Sequence, residues 1–238
     1  MAENVDKSAL RVRRMFGQIA PRYDLVNHLL SLSIDRRWRR RAVRLVPPQG
    51  TEPILDVCTG TADLALAYRR VADDATPIIG SDFCRPMLAV AERKCKRLGD
   101  CGRVRLVEAD TLRLPFPDNS FQVVSVAFGL RNVADTDAGL AEMIRVCRPG
   151  GRVAVLEFSM ASVWPFRPLY RWYFRRLLPW VGQAVARNDE AAYNYLPASV
   201  GAFPEREALA ERMRAAGLRE VWFSGFTFGI STLYVGEK

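Results

Sequence analysis

Short apolar runs alternate with amphipathic stretches between residues 53 and 159, and this alternation constrains the fold more than any other feature. Stretches such as 85–98 and 137–147 have helical periodicity. The apolar runs between these stretches are typical of buried strands: ILDVC (54–58), PIIGSDF (77–83), VRLVEAD (104–110), FQVVSVAFG (121–129) and GRVAVLEFS (151–159). Strands that alternate with helices indicate a parallel sheet with helices on both faces, a doubly wound α/β fold.

The end of the sequence predicts a different kind of strand pairing. A helix over 205–217 ends at Gly217 and precedes two β-rich runs that Gly225 and Gly229 interrupt. We expect these two runs to form an antiparallel hairpin that completes the sheet. The Pro149-Gly150-Gly151 segment predicts a tight turn between the preceding helix and the fifth strand.

The net charge of +9 is concentrated in two segments. Residues 1–50 hold eleven Lys and Arg against four Asp and Glu, and residues 164–187 hold five against none. Residues 51–163 are nearly neutral, with 14 basic against 15 acidic side chains. An enzyme that acts on nucleic acid is often basic around its catalytic centre. Basic flanks around a neutral centre favour an anionic surface as partner instead, either a membrane or RNA.

Histidine and cysteine usage excludes several kinds of site. The single histidine, His28, excludes sites that need a histidine pair. The five cysteines form no C-x-x-C pair, so the sequence indicates neither a disulfide framework nor a four-thiolate zinc site, and we expect no metal. No run approaches 18 apolar residues, and the N-terminus carries acids and arginines rather than an apolar signal segment. These features predict a cytoplasmic protein without a membrane span.

Four acidic residues fall at the predicted ends of successive strands. Asp56 and Asp63 flank the turn at Gly60, Asp82 follows 22 residues later, and Asp110 ends the third run. The turn is not the G-x-G-x-x-G of dinucleotide enzymes, and its carboxylates would repel a pyrophosphate. These carboxylates suit a ligand that carries an ammonium and a sulfonium group, S-adenosylmethionine. Asp82 would accept hydrogen bonds from its ribose hydroxyls. Taken singly, each acid is also typical of a helix cap or a turn.

Longer motifs make the sequence resemble one known family. They are MFGQIAPRYDLVNHLLSLSIDRRWR (15–39), LDVCTGTADLAL (55–66), LPFPDNSFQVVSVAFGLRNV (114–133), RVCRPGGRVAVLEFS (145–159) and the ending FTFGISTLYVGEK. Over about residues 11–236 the chain resembles the ubiquinone/menaquinone biosynthesis C-methyltransferases. Asp35, Ala127 and Arg148 stand where that family usually has His, Ser and Lys.

The resemblance implies a class I S-adenosylmethionine-dependent methyltransferase with a Rossmann-like sheet. It implies a basic N-terminal helical cap over residues 1–50 and a methyltransferase domain over residues 51–238, with a basic aromatic lid at about 160–200. Alanine at position 127 removes one expected hydrogen bond to the cofactor. The implied contacts with S-adenosyl-L-methionine are Asp56, Gly60, Thr61, Asp82, Phe83, Asp110, Thr111 and Ala127.

The implied reaction transfers a methyl group to a quinol ring carbon, converting demethylmenaquinol to menaquinol or serving the related polyprenyl-methoxy-benzoquinol step. We expect Arg131 and Asn132, just beyond the fourth strand, to hold the developing phenolate by charge-assisted hydrogen bonds. Asp63 would hold a water or the ammonium group of the cofactor. The alternative is that Arg131 pairs with Asp135 or Asp137 in a loop.

Two features, one near the N-terminus and one in the C-terminal half, have more than one interpretation. His28 is either a base near the quinol or a partly buried, hydrogen-bonded helix residue. The segment 164–181 predicts an amphipathic helix with a row formed by Arg167, Arg171 and Arg175. That helix either contacts an anionic membrane surface transiently or packs as a lid on the protein or on a second subunit of a homodimer.

Rival functions remain open at this stage. A methyltransferase acting on RNA or another small molecule fits the basic isoelectric point, although the fourth strand lacks the Asn/Asp-Pro-Pro-aromatic motif of base amino methylation. We therefore expect no nucleic acid partner. A nicotinamide-dependent oxidoreductase conflicts with the acid-flanked turn. A binding module without catalysis conflicts with the presence of both Asp82 and Asp110.

Overall fold

A seven-stranded sheet forms the centre of the protein. The computed structural model describes residues 7–100, 102–161, 164, 168 and 192–238. The strands are β1 (Ile54–Val57), β2 (Ile78–Asp82), β3 (Val104–Glu108), β4 (Phe121–Ala127), β5 (Cys147–Phe158), β6 (Arg219–Phe226) and β7 (Ser231–Glu237). Their order in the sheet is β3-β2-β1-β4-β5-β7-β6. The first five pair in parallel, whereas β7 runs antiparallel to both β5 and β6. The predicted doubly wound sheet and its C-terminal antiparallel hairpin are confirmed.

Helices of the described chain connect and cover the strands. They are α1 (Ala9–Ile19), α2 (Tyr23–Leu30), α3 (Ile34–Leu45), α4 (Asp63–Arg69), α5 (Arg85–Leu98), α6 (Thr136–Val146), α7 (Ala192–Ala202) and α8 (Glu207–Ala215). The helices predicted over 85–98, 137–147 and 205–217 are therefore confirmed as α5, α6 and α8. Helix α6 begins where the Asp135 carboxylate accepts hydrogen bonds from two backbone amides of the first turn.

Two hydrophobic cores lie on opposite faces of the sheet, because successive strand residues point to opposite sides. Ile54 and Val123 belong to the core that α3, α4 and α5 cover, whereas Leu55 and Val124 belong to the core under α6 and α8. All four side chains are fully buried. A strand with both faces buried reads as a continuous apolar run, which explains the patterns of ILDVC and FQVVSVAFG.

The Pro149-Gly150-Gly151 segment does not separate α6 from the fifth strand as predicted. The strand β5 begins at Cys147, directly after α6, and includes these three residues. The pairing jumps from Phe121 opposite Cys147 to Val123 opposite Arg152, so the segment forms a bulge within the strand. Gly151 is required there because an added β-carbon would meet the Arg148 carbonyl oxygen at 2.8 Å.

Helices α1, α2 and α3 lie ahead of the sheet in sequence and contact α4 and α5. The buried residues Met15, Ile19 and Val26 form a small core with Tyr195 of α7. Across the described ranges, no helix combines the length and the hydropathy that crossing a bilayer requires. The basic aromatic segment predicted over 164–181 lies outside the described residues except for Trp164 and Pro168, and the predicted domain division stays a prediction.

Candidate active site

A cleft of about 900 Å³, including its mouth open to solvent, lies at the carboxyl ends of β1, β2, β3 and β4. Parallel α/β sheets bind their ligands at this edge. The side of the cleft nearest the N-terminus is closed by Val12 and Phe16 of α1, Tyr23 of α2 and Arg39 of α3. The predicted site residues that line the cleft are Asp56, Gly60, Thr61, Asp63, Asp82, Phe83, Asp110, Thr111, Ala127 and Asn132.

The loop between β1 and α4 forms the floor of the cleft in an unusual backbone conformation. Cys58, Gly60 and Ala62 have φ values of 49°, 56° and 66°. Two of these are not glycine, so the loop stores strain of the kind that accumulates at functional sites. A β-carbon at Gly60 would approach the Met87 side chain to 3.3 Å, in addition to the cost of its positive φ. Helix α4 therefore begins only at Asp63, after this loop.

Asp82 at the end of β2 is held rigidly by backbone amides. Its two carboxylate oxygens accept hydrogen bonds from the amides of Gly60 and Cys84, both at 2.8 Å. Each oxygen keeps a further lone pair for a ligand. Burial raises the pKa of Asp82 to about 6, because desolvation outweighs these hydrogen bonds. A fixed, desolvated carboxylate facing a cleft is well suited to accept ligand hydroxyl groups.

Asp110 and Thr111 follow β3, the strand that lies next to β2 in the sheet. The Asp110 carboxylate accepts a hydrogen bond from the Leu112 amide at 2.9 Å and is otherwise exposed on the cleft wall. The Thr111 hydroxyl lies 3.2 Å from the Cys58 sulfur, which ties the two loops together. The predicted strand 104–110 ends at Glu108 because Asp110 turns back to form an isolated bridge with Arg113.

Asp56 lies beneath the loop rather than on the open surface of the cleft. It is 1% exposed and accepts hydrogen bonds from the hydroxyls of Thr59 at 2.7 Å and Ser125 at 3.2 Å. Desolvation raises the pKa of Asp56 to about 7 despite these donors. Its carboxylate shapes the Gly60 loop from below.

Asp63 belongs to a network of charged side chains at the start of α4. The Lys94 ammonium group donates to Asp63 at 2.7 Å, to Asp24 at 2.6 Å and to the Thr61 hydroxyl at 3.0 Å. The Thr61 hydroxyl donates in turn to Asp24 at 2.5 Å. Burial alone would raise the pKa of Asp63, but Arg39 and Lys94 hold it below its ordinary value. Asp63 is therefore an ionised, paired carboxylate, and it is poorly suited to be a proton acceptor.

The loop after β4 contributes Ala127, Phe128, Gly129 and Asn132. Phe128 has a φ of 60°, and a β-carbon at Gly129 would lie 2.4 Å from the Cys58 β-carbon, so the β1 and β4 loops meet closely. The Asn132 amide nitrogen donates to the Phe128 carbonyl at 3.4 Å. The Asn132 side-chain oxygen is buried and has no hydrogen-bond partner in the described chain. A cleft residue with an unsatisfied acceptor is positioned to receive a proton donor from a ligand.

Arg131 is not brought to the cleft. Its guanidinium forms a buried ion pair with Glu157 of β5 at 2.9 Å and donates to the Phe128 carbonyl, and its own amide donates to Glu157 at 3.2 Å. The side chain is 6% exposed. The alternative pairing with Asp135 or Asp137 is wrong, because the partner is 26 residues away on the neighbouring strand. The positive charge that we expected at the ring oxygen is neutralised behind the cleft wall.

His28 is a hydrogen-bonded helix residue that does not line the cleft. Its Nδ1 lies 3.1 Å from Asp35, and Arg36 donates to its Nε2 at 3.3 Å. Candidate ligand atoms of His28, Asp35 and Asp63 lie within 4.8 Å of one another. The Arg39 guanidinium pairs with Asp35 at 2.5 Å and lies 3.8 Å from Asp63, so it supplies the positive charge that a metal ion would otherwise provide.

Sequence reasoning missed four residues of the site: Lys7, Tyr23, Arg39 and Lys94. Tyr23, Arg39 and Lys7 line the cleft, and Lys94 holds the network described above. The motif around Tyr23 and Asp24 was visible in the sequence, and it would have identified α2 as a wall of the cleft. No local pattern identifies Lys94 or Lys7, because their partners lie on other elements of the fold.

Comparison with known proteins agrees with this arrangement. The sequence model described as the ubiE/COQ5 methyltransferase family matches residues 3–238. The chain belongs to this family. A demethylmenaquinone methyltransferase of Thermus thermophilus is 49% identical, covering 94% of this chain and 100% of that protein. A ubiquinone/menaquinone biosynthesis C-methyltransferase of Citrifermentans bemidjiense is 45% identical, with 96% of each chain covered. The predicted family and the predicted methyltransferase activity are confirmed.

Solved structures confirm the predicted class of fold. An S-adenosylmethionine-dependent methyltransferase of Thermotoga maritima, titled a possible histamine N-methyltransferase, superposes with a TM-score of 0.67 at 17% identity, covering 95% of this chain and 99% of that one. A Haemonchus contortus phosphoethanolamine N-methyltransferase 2 solved with S-adenosyl-L-methionine superposes with a TM-score of 0.60 at 15% identity, covering 85% of this chain and 52% of that one. At these identities the likeness concerns the fold alone.

The methyl donor of this ubiE/COQ5 family member is S-adenosyl-L-methionine, and the cleft has the donor set that this group requires. Ionisable carboxylates of Asp63, Asp82 and Asp110 line one side, where a cationic ligand with ribose hydroxyls is favoured over a phosphate. The amide-fixed lone pairs of Asp82 are directed at the place where hydroxyl donors are needed. The residues present therefore fit the cofactor.

Proposed function

We propose that the protein methylates a ring carbon of a polyprenylated quinol, with demethylmenaquinol as substrate and the polyprenyl-methoxy-benzoquinol as the related alternative. The observation that carries the proposal is that one cleft has two kinds of lining. The carboxylates of Asp82 and Asp110 line it together with the aromatic side chains of Phe16, Tyr23 and Phe128. The names of the relatives point to this substrate class.

The cofactor supplies an electrophilic methyl group. A ring carbon of the quinol forms the new C–C bond to it, and the S–CH₃ bond breaks with its electron pair left on sulfur. One proton is released from the quinol overall. We assign Asp82 to the ribose hydroxyls, Asp110 to the adenine amino group, and Gly60, Thr61, Thr111, Phe83 and Ala127 to the surface against which the cofactor lies, with Asp56 supporting the Gly60 loop from below. Asp63 attracts the ammonium group while it remains paired with Lys94. These assignments follow from which carboxylates face the cleft.

Asn132 acts on the quinol in this proposal. Its unsatisfied side-chain oxygen accepts a hydrogen bond from a ring hydroxyl, which fixes the ring and raises its electron density. The hydrogen bond strengthens as the ring attacks, because the phenol becomes more acidic when positive character develops. Arg131 supports this loop through Glu157 instead of contacting the ring.

The test is methyl transfer from labelled S-adenosylmethionine to the two quinols in parallel, under reducing conditions with detergent. We expect labelled product from at least one of them. Asn132→Leu should lower kcat by about 10- to 100-fold and leave the Kd of the cofactor unchanged. Absence of product from both quinols, with cofactor binding intact by calorimetry, would contradict the proposed substrate class and return RNA or other small acceptors to consideration.

We also propose that the protein is cytoplasmic and contacts the membrane transiently, since a polyprenyl substrate lies in the bilayer. The exposed residues between 22 and 44 support it: apart from Ser33 they are all Arg or Leu. The two acids of this range, Asp24 and Asp35, are turned inward and paired. Exposed leucines among cations are typical of an interfacial surface. The basic residues at Arg22, Arg36, Arg37, Arg40, Arg41 and Arg44 surround the leucines Leu25, Leu29 and Leu32.

Co-sedimentation with vesicles tests this contact. Replacing Leu25, Leu29 and Leu32 together by Ser should reduce binding to vesicles that contain an anionic phospholipid, and high salt should reduce it further. The matched control is Leu98→Ser, which alters an exposed leucine at the end of α5. The predicted Arg row at 167, 171 and 175 is replaced in a parallel variant. If neither variant changes binding, the surface instead serves a homodimer, which light scattering would detect.

A further inference from the structure

The cleft needs a positive charge near the quinol oxygens, and the cation expected from the sequence does not provide it. Methyl transfer is faster when the ring carries phenolate character, so a cation beside the oxygen lowers the barrier. Arg131 is paired with Glu157 at 2.9 Å and does not line the cleft. Any cation that assists the ring must therefore come from another element.

Two cations line the cleft in the described part of the chain, Lys7 and Arg39. Arg39 is held by Asp35 at 2.5 Å and lies 3.8 Å from Asp63, so two carboxylates compensate its charge. For Lys7, no described carboxylate lies within ion-pair distance, and its ammonium group lies 6.0 Å from the centre of the Phe203 ring. Among the described residues, Lys7 is therefore the cleft cation without a paired carboxylate.

The charged surroundings of Lys7 differ from those of the carboxylates that we assign to the adenosine moiety. The charged groups that act on it are Glu157, which attracts it, and Arg131 and Arg212, which repel it. Glu157 and Arg131 lie behind the loop that carries Asn132. The carboxylates assigned to the adenosine moiety, by contrast, follow β2 and β3. Lys7 and Asn132 both line the cleft.

We propose that Lys7 is a further catalytic residue, whose ammonium group stabilises the phenolate that forms when a ring hydroxyl releases its proton to solvent ahead of methyl transfer. This inference rests on the proposed quinol substrate. The lysine ammonium group is a compact charge on a flexible side chain, so it can move with the ring oxygen as the substrate binds. Burial lowers the pKa of Lys7 from its ordinary value. Asn132 orients the hydroxyl while Lys7 supplies the charge.

Kinetics of three variants test the assignment. Lys7→Gln should lower kcat at least about tenfold while the KM of the quinol and the Kd of the cofactor stay within about twofold, because the charge raises the phenolate fraction of the bound quinol and not the binding of the neutral quinol. Lys7→Arg should restore most of the rate, since it keeps the charge. The matched control is Lys96→Gln, which removes an exposed lysine of α5. Unchanged kcat in Lys7→Gln would overturn the proposal.

A second readout does not require turnover. 4-Nitrophenol bound to the protein reports phenolate formation by its absorbance, and the wild type should depress the apparent pKa of the bound phenol relative to Lys7→Gln. Identical titrations would overturn the role of Lys7. A Lys7-dependent shift in a protein that methylates neither quinol would support the cation site and contradict the proposed substrate. The two ideas can therefore fail separately.

Discussion

The ammonium group of Lys94 joins three parts of the protein, and its removal offers the sharpest test of how the N-terminal helices are held. Lys94 contacts Asp24 of α2 at 2.6 Å and Asp63 of α4 at 2.7 Å. Removing one partner from a buried ion pair costs about 3–5 kcal/mol, because the other charge stays buried. The carboxylate side chains here are 28% and 24% exposed, so solvent compensates part of that cost.

We therefore expect Lys94→Met to lower the free energy of unfolding by about 2–3 kcal/mol. In a chain of this length, 1 kcal/mol corresponds to about 2–4 °C in Tm, so the melting temperature should fall by about 4–12 °C. Thermal unfolding followed by circular dichroism measures this shift. The control is Lys96→Met, which changes an exposed lysine two residues further along the same helix and should leave Tm within about 1 °C.

A double-mutant cycle with Asp24→Asn separates this interaction from general disturbance of the helix. If Lys94 and Asp24 stabilise each other, the double variant should lose less stability than the sum of the two single variants. If Lys94→Met had the melting temperature of the wild type, or if the cycle gave no coupling energy, the network would not be what holds α2 against the cleft floor. The cofactor Kd should weaken in parallel with Tm, because Thr61 and Asp63 lie on that floor.

Three further outcomes follow from the geometry. Asp82→Ala should weaken cofactor binding by roughly 1–3 kcal/mol in calorimetry. In the wild type, the affinity for the cofactor should fall as the pH drops below about 6, where Asp82 takes up a proton, and Asp82→Asn should lose that pH dependence. A wild-type affinity that does not change with pH would argue against Asp82 as the hydrogen-bond acceptor. Arg131→Met should lower stability by about 3–5 kcal/mol by leaving Glu157 buried and unpaired, measured by urea unfolding; full stability would contradict the structural role. Gly129→Ala should cost about 1–3 kcal/mol, since the new β-carbon would meet its neighbour at 2.4 Å, whereas Gly201→Ala, with open space in α7, should be neutral or stabilising.

Local sequence signals predicted the elements whose boundaries are set locally. Helix α5 runs from Arg85 to Leu98 as predicted, because Pro86 marks its first turn and Gly99 its end. The strands appeared as apolar runs because both faces of the sheet are buried. The sequence carries no signal for the start of α4, because the positive φ values over residues 58–62 include Cys58 and Ala62, which are not glycines.

The acidic half of the site was predictable and the cationic half was not. Asp82 and Asp110 follow strand ends, and strand ends converge at one edge whatever the tertiary details. Partners from distant parts of the chain decide which cations reach this edge. Glu157 holds Arg131 away from the cleft, whereas Lys7, ahead of α1, lines the cleft and Lys94 of α5 pairs with acids beside it. Only the folded chain shows which positive charge is compensated and which is available.

The position of β7 has a consequence for how the protein is made. β7 is the last of the seven strands in sequence but lies inside the sheet, between β5 and β6. Until it has been synthesised, β5 has an open edge and β6 has no neighbour to pair with. Unpaired edges of this kind recruit other chains. Substitutions that delay the docking of Leu233 or Val235 should therefore reduce the yield of native protein during expression more than they reduce its stability once folded.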